Sequence, residues 1–283
     1  MEQQIRVGGR LRSFLLLNPE LPEGVPPSAV LMVLHGSSQT GQAVRSYSGN
    51  SFDLLALHGP TVVVYPEGVN KLWNHNSAAP RAADDVAVMA ALADLFRTLH
   101  GPVPVIIAGF SNGGQLLIRL IHEIPDKFDG AAIIGATLPR PGLAFADQRL
   151  PLPVMLVHGT HDLVVPYGGE GWFGRFIGRK RGPSAPETAQ YFATRNNITS
   201  APSHKVLPHR RESGRTSVTA TSFEQEGRAP VRLYTVAGGG HVVPNRHRKA
   251  IFLAGRTTQD ISIVEALAEF FPVLHWPLGE SSN

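Results

Sequence analysis

The chain has 283 residues, of which 42% are hydrophobic and 17% charged. That is enough apolar material for a large core, so a disordered or coiled-coil chain is excluded, and the absence of cysteine excludes disulfides, thiolate metal sites and a cysteine nucleophile. The net charge of +4 is concentrated in Arg175–Arg181 and Arg246–Lys249, which reads as a basic surface; no nucleic-acid motif accompanies it, and no nucleic-acid partner is expected.

The first residues, Met1-Glu2-Gln3-Gln4-Ile5-Arg6, lack the apolar stretch and cleavage site of a signal peptide. No apolar run approaches the ~18 residues of a membrane helix. A cytoplasmic location is the expectation. Short apolar runs rich in β-branched residues then recur, each ended by Gly, Pro or Asn. They predict strands over Ser13–Leu17, Val30–Leu34, Thr61–Tyr65, Val103–Ala108, Ala131–Gly135, Pro153–Val157 and Val231–Val236. Several are apolar at every position, the pattern of strands covered on both faces of a parallel sheet. Helices are expected over Asp84–Leu99, Ser111–Glu123 and Thr258–Phe271. The first opens on two acidic residues and carries an apolar stripe at Val86, Met89, Leu92, Leu95 and Phe96. Strand–helix alternation of this kind predicts a doubly wound, mostly parallel α/β sheet with helices on both faces. Ser13–Leu17 and Val30–Leu34 leave little room for an intervening helix, so the sheet is expected to start antiparallel. We expect one domain over residues 1–283, with insertions near 166–183, a candidate flap, and 204–230, a polar loop or hairpin.

The segment Val103-Pro-Val-Ile-Ile-Ala-Gly109-Phe110-Ser111-Asn112-Gly113-Gly114 is a buried strand, then G-x-S-x-G, then an apolar helix. A serine in a sharp strand-to-helix turn is exposed for nucleophilic attack, and the glycines admit the strained turn. The N–H of Asn112, at the start of the helix, faces the place where an oxyanion would form. A serine hydroxyl needs a base, and that base needs an orienting acid. Asp162 follows the Pro153–Val157 strand within His158-Gly159-Thr160-His161-Asp162, and His241 follows the Val231–Val236 strand within Gly238-Gly239-Gly240-His241. The order Ser, Asp, His at three successive strand ends is that of the α/β-hydrolases. Leu34-His35-Gly36-Ser37-Ser38 sits where that fold supplies a second oxyanion N–H, from Ser37 or alternatively Ser38.

Other candidates are weaker. Gly169-Glu170-Gly171-Trp172-Phe173-Gly174 matches a dinucleotide fingerprint, but it follows no predicted strand. His158 and His161 lie on a strand end and turn, and the remaining histidines lack partners at ligand spacing, so no metal and no cofactor are expected. Trp73, Trp172, Phe173 and Val243 are candidate substrate contacts. Trp73 could equally anchor its own loop. The 166–183 segment could instead pack as an ordered loop or dock on a membrane or partner.

Taken together, Leu34-His35-Gly36, Tyr65-Pro66-Glu67-Gly68, Trp73-Asn74, Asp84-Asp85-Val86, Gly109-Phe110-Ser111-Asn112-Gly113-Gly114, Pro125-Asp126-Lys127-Phe128, His158-Gly159-Thr160-His161-Asp162 with Val165-Pro166-Tyr167, and Gly239-Gly240-His241 resemble the polyhydroxybutyrate depolymerase/LpqC-like esterases, a family that includes feruloyl and acetylxylan esterases. The resemblance spans nearly the whole chain. It implies an α/β-hydrolase fold and ester hydrolysis through Ser111, Asp162 and His241. Members often carry cysteines, a signal peptide and a Trp-Pro-Gly after the histidine. Here Val242-Val243-Pro244-Asn245 stands in that last place. These departures favour a small intracellular ester over an extracellular polymer. The same triad would also serve a thioester, a lactone or a hydroxyalkanoate or feruloyl oligomer. A binding protein on a hydrolase scaffold is the reading from another class.

Overall fold

The computed structural model describes residues 1–76, 84–139, 146–169, 182–246 and 254–275. Among them ten strands form one sheet: β1 (Glu2–Val7), β2 (Arg10–Leu17), β3 (Ala29–Leu34), β4 (Thr61–Pro66), β5 (Val105–Phe110), β6 (Gly130–Ile134), β7 (Val154–Gly159), β8 (Ser203–Val206), β9 (Ser217–Phe223) and β10 (Val231–Ala237). The order across the sheet is β1-β2-β4-β3-β5-β6-β7-β10-β9-β8. The six strands from β4 to β10 run parallel, while β1 and β2 at one edge and β9 and β8 at the other are antiparallel.

The apolar runs of the central strands are buried throughout because both faces are covered. Alternate residues go to opposite sides. Val30, Met32 and Leu34 pack with α3 (Asp85–His100), α4 (Asn112–Glu123) and α5 (Ala185–Arg195). Ala29, Leu31 and Val33 pack with α1 (Gly41–Tyr47), α2 (Leu54–Leu57) and α6 (Ile263–Phe270). The mostly parallel doubly wound sheet and its antiparallel start agree with the sequence.

The polar 204–230 stretch forms a hairpin arm, β8 with β9, that extends the sheet. The last helix starts later than its periodicity suggests. Ser262 caps it through a capping box with Glu265, and the residues before that cap are engaged elsewhere. Asp260 accepts from the Arg210 N–H at 2.7 Å and from the Ser213 hydroxyl at 2.5 Å, tying the hairpin arm to the helix entry. Trp172 and Phe173, most of the expected 166–183 flap and most of the Arg246–Lys249 cluster lie outside the described residues.

Candidate active site

Ser111 stands between β5 and α4 with φ 54° and ψ −116°, a conformation that a non-glycine residue holds only when its surroundings impose it. Two constraints impose it. The Ser111 N–H donates to the Ile134 carbonyl on the neighbouring strand at 2.9 Å, and the helix begins at the very next residue. The flanking glycines are required by contact. A methyl group at Gly109 would lie 2.4 Å from the Gly113 carbonyl oxygen, and one at Gly113 would lie 2.6 Å from that of Leu34. The second contact presses the start of α4 onto the end of β3.

Asp162 and His241 meet although 79 residues separate them. The His241 Nδ1–H donates to Asp162 Oδ2 at 2.6 Å. Since a carboxylate only accepts, the proton sits on Nδ1 and leaves Nε2 as the acceptor. The other carboxylate oxygen accepts from the N–H groups of Val164 and Val165 at 2.9 and 2.8 Å, which fixes the acid's rotamer. The imidazole lies against the Phe110 ring, 4.8 Å between centroids. It also covers Gly135, whose missing side chain would come within 3.2 Å of it. Phe110 precedes Ser111, and Ile134, which precedes Gly135, holds the Ser111 N–H, so the imidazole sits at the elbow. Tyr47 stacks on Phe110 and donates its hydroxyl to the His241 carbonyl at 2.7 Å.

His158 is buried beside the acid. Burial pushes its pKa below the ordinary histidine value, against the opposing pull of the Val165 carbonyl and the Asp162 charge. Its Nε2–H donates to the Val165 carbonyl at 2.8 Å, closing the turn that holds Asp162. His161 is exposed, and among the described residues no cluster of histidine and acidic side chains is arranged to hold a metal.

The loop after β3 is built around His35. The Gly68 N–H donates to its Nε2 at 2.9 Å, so its proton is on Nδ1 and goes to the Gly36 carbonyl at 2.8 Å. Burial lowers its pKa, in keeping with a neutral ring. The Ser37 N–H has no partner among the described residues. The Ser38 N–H, the alternative donor, is already committed to the Lys71 carbonyl at 2.9 Å. The N–H of Asn112 belongs to the first turn of α4, where no intrahelical partner exists.

The profile of the phospholipase/carboxylesterase family matches residues 87–174, the stretch that carries the elbow and Asp162. The chain is 28% identical over 293 aligned positions to "Putative esterase NocK" of Nocardia uniformis subsp. tsuyamanensis, covering 95% of this chain and 81% of that one. It is 27% identical over 175 positions to the bifunctional acetylxylan esterase/xylanase XynS20E of Neocallimastix patriciarum; that match spans 61% of this chain and a quarter of the relative's length. Among solved structures, the acetyl xylan esterase from Aspergillus awamori superimposes with a TM-score of 0.63 at 13% identity, over 96% of this chain and 99% of that one. The chain has the α/β-hydrolase fold, and its similarity is to esterases over nearly its whole length.

Two expected substrate contacts of this hydrolase are not at the surface of a cleft. Trp73 is 3% exposed. Its indole N–H donates to the His35 carbonyl at 2.9 Å, its ring stacks on His35, and its backbone N–H donates to Asn112 Oδ1 at 2.7 Å. It anchors the loop, the alternative that the sequence left open. Val243 is 1% exposed and packs in the core against the α6 side of the sheet. Short apolar and aromatic residues near a catalytic histidine serve as core as readily as they line a pocket, which is why position alone misled.

A cleft of about 340 Å³ opens beside the elbow. His75, Gln115, Leu138, Val164, Val165 and Pro166 are among its walls. His75 and Gln115 were not singled out from sequence. Gln115 is one turn beyond Ser111 in an amphipathic helix, and that spacing was the available signal. The closure of the 67–76 loop by a buried ion pair was also missed. Arg12 meets Asp85 at 2.6 Å and donates to the Glu67 carbonyl, while Asp85 accepts from the Asn74 N–H at 2.7 Å.

Proposed function

We propose that the protein hydrolyses small carboxylic esters by acyl transfer through Ser111, His241 and Asp162. The observation that carries this reading is the 2.6 Å Asp162–His241 hydrogen bond, with its imidazole packed on Phe110 and Gly135 beside a serine held at positive φ. His241 Nε2 takes the serine proton as Oγ attacks the ester carbonyl. Asp162 holds the tautomer that leaves Nε2 free and stabilises the imidazolium that forms. The N–H groups of Asn112 and Ser37 take the developing oxyanion, each donor contributing roughly 3–4 kcal/mol to the rate. His241 then protonates the leaving alcohol. Water, activated by the same imidazole, attacks the acyl-enzyme and returns Ser111 to its hydroxyl form. None of these steps calls for a cofactor.

The cleft volume of about 340 Å³ supports a small substrate, being at the lower end of ligand-site sizes of ~300–1,000 Å³. The names of the relatives supply the leaving-group chemistry: acetyl esters of carbohydrates are the substrates that two of them are named for.

The test is twofold. A fluorophosphonate should label the wild type and not Ser111→Ala. A panel of p-nitrophenyl esters of increasing acyl length, run with methyl ferulate, acetylated xylo-oligosaccharides, thioesters and hydroxybutyrate oligomers, should give turnover that Ser111→Ala and His241→Ala reduce by several orders of magnitude. Near-normal turnover in a folded Ser111→Ala variant would overturn the assignment.

A further inference from the structure

The side chain of Asn112 reaches the loop after β4. Its Oδ1 accepts from the Trp73 backbone N–H at 2.7 Å. A backbone N–H only donates, so this bond fixes which end of the amide is oxygen. The NH2 end then faces His75 Nδ1 at 3.0 Å, with the Trp73 carbonyl at 3.4 Å and Gln115 Oε1 at 3.5 Å as longer contacts.

Two assignments follow. His75 Nδ1 receives a hydrogen and is therefore the acceptor, which puts the ring proton on Nε2. The Trp73 carbonyl, 3.4 Å from Nδ1, is a poorer claimant than the 3.0 Å contact. Gln115 Oε1 is drawn toward Asn112, so its own NH2 group points the other way. Both residues line the cleft and both are only half-buried. His75 Nε2 and Gln115 Nε2 have no partner among the described residues. One wall of the cleft therefore presents two N–H donors, while Leu138, Val164, Val165 and Pro166 make other parts of it apolar.

The distance from the reacting centre follows from the helix. The Gln115 N–H donates to the Ser111 carbonyl at 3.0 Å, so the helix sets Gln115 one turn from the nucleophile. We propose that His75 and Gln115 form a specificity-determining donor pair that takes an oxygen acceptor on the substrate, a few bonds from the carbonyl that Ser111 attacks. The proposal rests on Ser111 being the nucleophile. Its ligand chemistry is an ether, hydroxyl or carbonyl oxygen placed beyond the ester group, in preference to a plain alkyl chain at that place.

Ether oxygens test the idea cleanly because they accept and never donate. Two isosteric pairs replace one methylene by oxygen. On the acyl side these are p-nitrophenyl pentanoate and p-nitrophenyl 3-methoxypropanoate; on the alcohol side, butyl acetate and 2-methoxyethyl acetate. Each kcat/KM is divided by the hydroxide-catalysed rate of the same ester, which removes intrinsic reactivity. The wild type is expected to favour the ether member of one pair by roughly threefold to tenfold, the range of a neutral hydrogen bond. The pair that responds tells which side of the ester meets the wall. His75→Phe and Gln115→Met, made separately so that one misfolded variant does not end the test, should each bring that ratio toward one, mainly through KM. Fluorophosphonate labelling is followed in every variant. Normal labelling with ratios near one in the wild type, or with ratios unmoved by both substitutions, overturns the donor pair alone. No labelling of the wild type overturns the serine reading and this proposal with it.

Discussion

Replacing Asp162 by asparagine changes one oxygen for an NH2 group, and the surroundings decide which one. Oδ1 accepts from both the Val164 and Val165 N–H groups, at 2.9 and 2.8 Å. An NH2 group there would face two donors, so the amide oxygen must stay and the NH2 must take the place of Oδ2. That place is 2.6 Å from His241 Nδ1. The imidazole can meet a donor only by offering its Nδ1 lone pair, which moves the ring proton to Nε2. In that tautomer it cannot accept the serine proton. The same inversion in the Ser-His-Asp template costs about 10⁴ in kcat, or roughly 5.5 kcal/mol at the transition state. We expect Asp162→Asn to lose about four orders of magnitude in kcat on a p-nitrophenyl ester, with fluorophosphonate labelling slowed in parallel and the near-UV circular dichroism unchanged. A folded variant that keeps more than a tenth of wild-type kcat would refute the tautomer argument.

Gly113→Ala places a methyl group 2.6 Å from the Leu34 carbonyl oxygen and 2.7 Å from that of His35, both backbone atoms with nowhere to move. It should cost about 1–3 kcal/mol of stability and several degrees of Tm, and lower kcat by splaying the elbow from the Ser37 loop; an unchanged Tm would contradict the contact. Trp73→Phe keeps the ring but strands the buried His35 carbonyl, so a stability loss of about 1–3 kcal/mol with KM little changed is expected; a raised KM at constant Tm would return Trp73 to the substrate. Burial lowers the pKa of His35, His122 and His158 in the folded protein. Below the unfolded histidine value of ~6.5 the unfolded chain therefore binds more protons, and stability falls as pH falls from there toward the lowered folded values. Glu67, raised by burial, works the other way, but it is one group against these three and His100, which burial also lowers. A Tm that does not decline between pH 7 and pH 5 would count against neutral buried imidazoles.

What was legible in the sequence is what local chemistry dictates. Runs such as Val30–Leu34 are apolar at every position because the strand is covered twice, and the sheet they form has the expected direction and antiparallel start. The elbow was legible because glycine at 109 and 113 is a steric demand of one short turn. β1 was missed because it is an edge strand with exposed and half-buried residues in alternation, four of its six side chains being polar or charged. The hairpin arm was ambiguous for the same reason, since β8 is exposed at every position.

The contacts that shape the candidate site were least legible because they join residues far apart in the chain. Nothing near Tyr47 in sequence indicates that its hydroxyl holds a carbonyl 194 residues away, or that its ring completes a stack through Phe110 to His241. His75 was set aside because no histidine or acid lies at ligand spacing from it. The partner that defines its tautomer is an amide 37 residues later. Asn112 is the clearest case of a residue read for half of what it does. Its place after the serine predicts the role of its N–H, which is a property of the helix start. Its side chain is free of that constraint, and it is spent on fixing Trp73 and His75. A backbone role can be read from a motif because the backbone is the same in every residue, whereas a side-chain role depends on which loop the fold lays beside it. The residue whose N–H is proposed to meet the oxyanion thus also fixes one wall of the cleft, and a change at Asn112 should disturb rate and preference together.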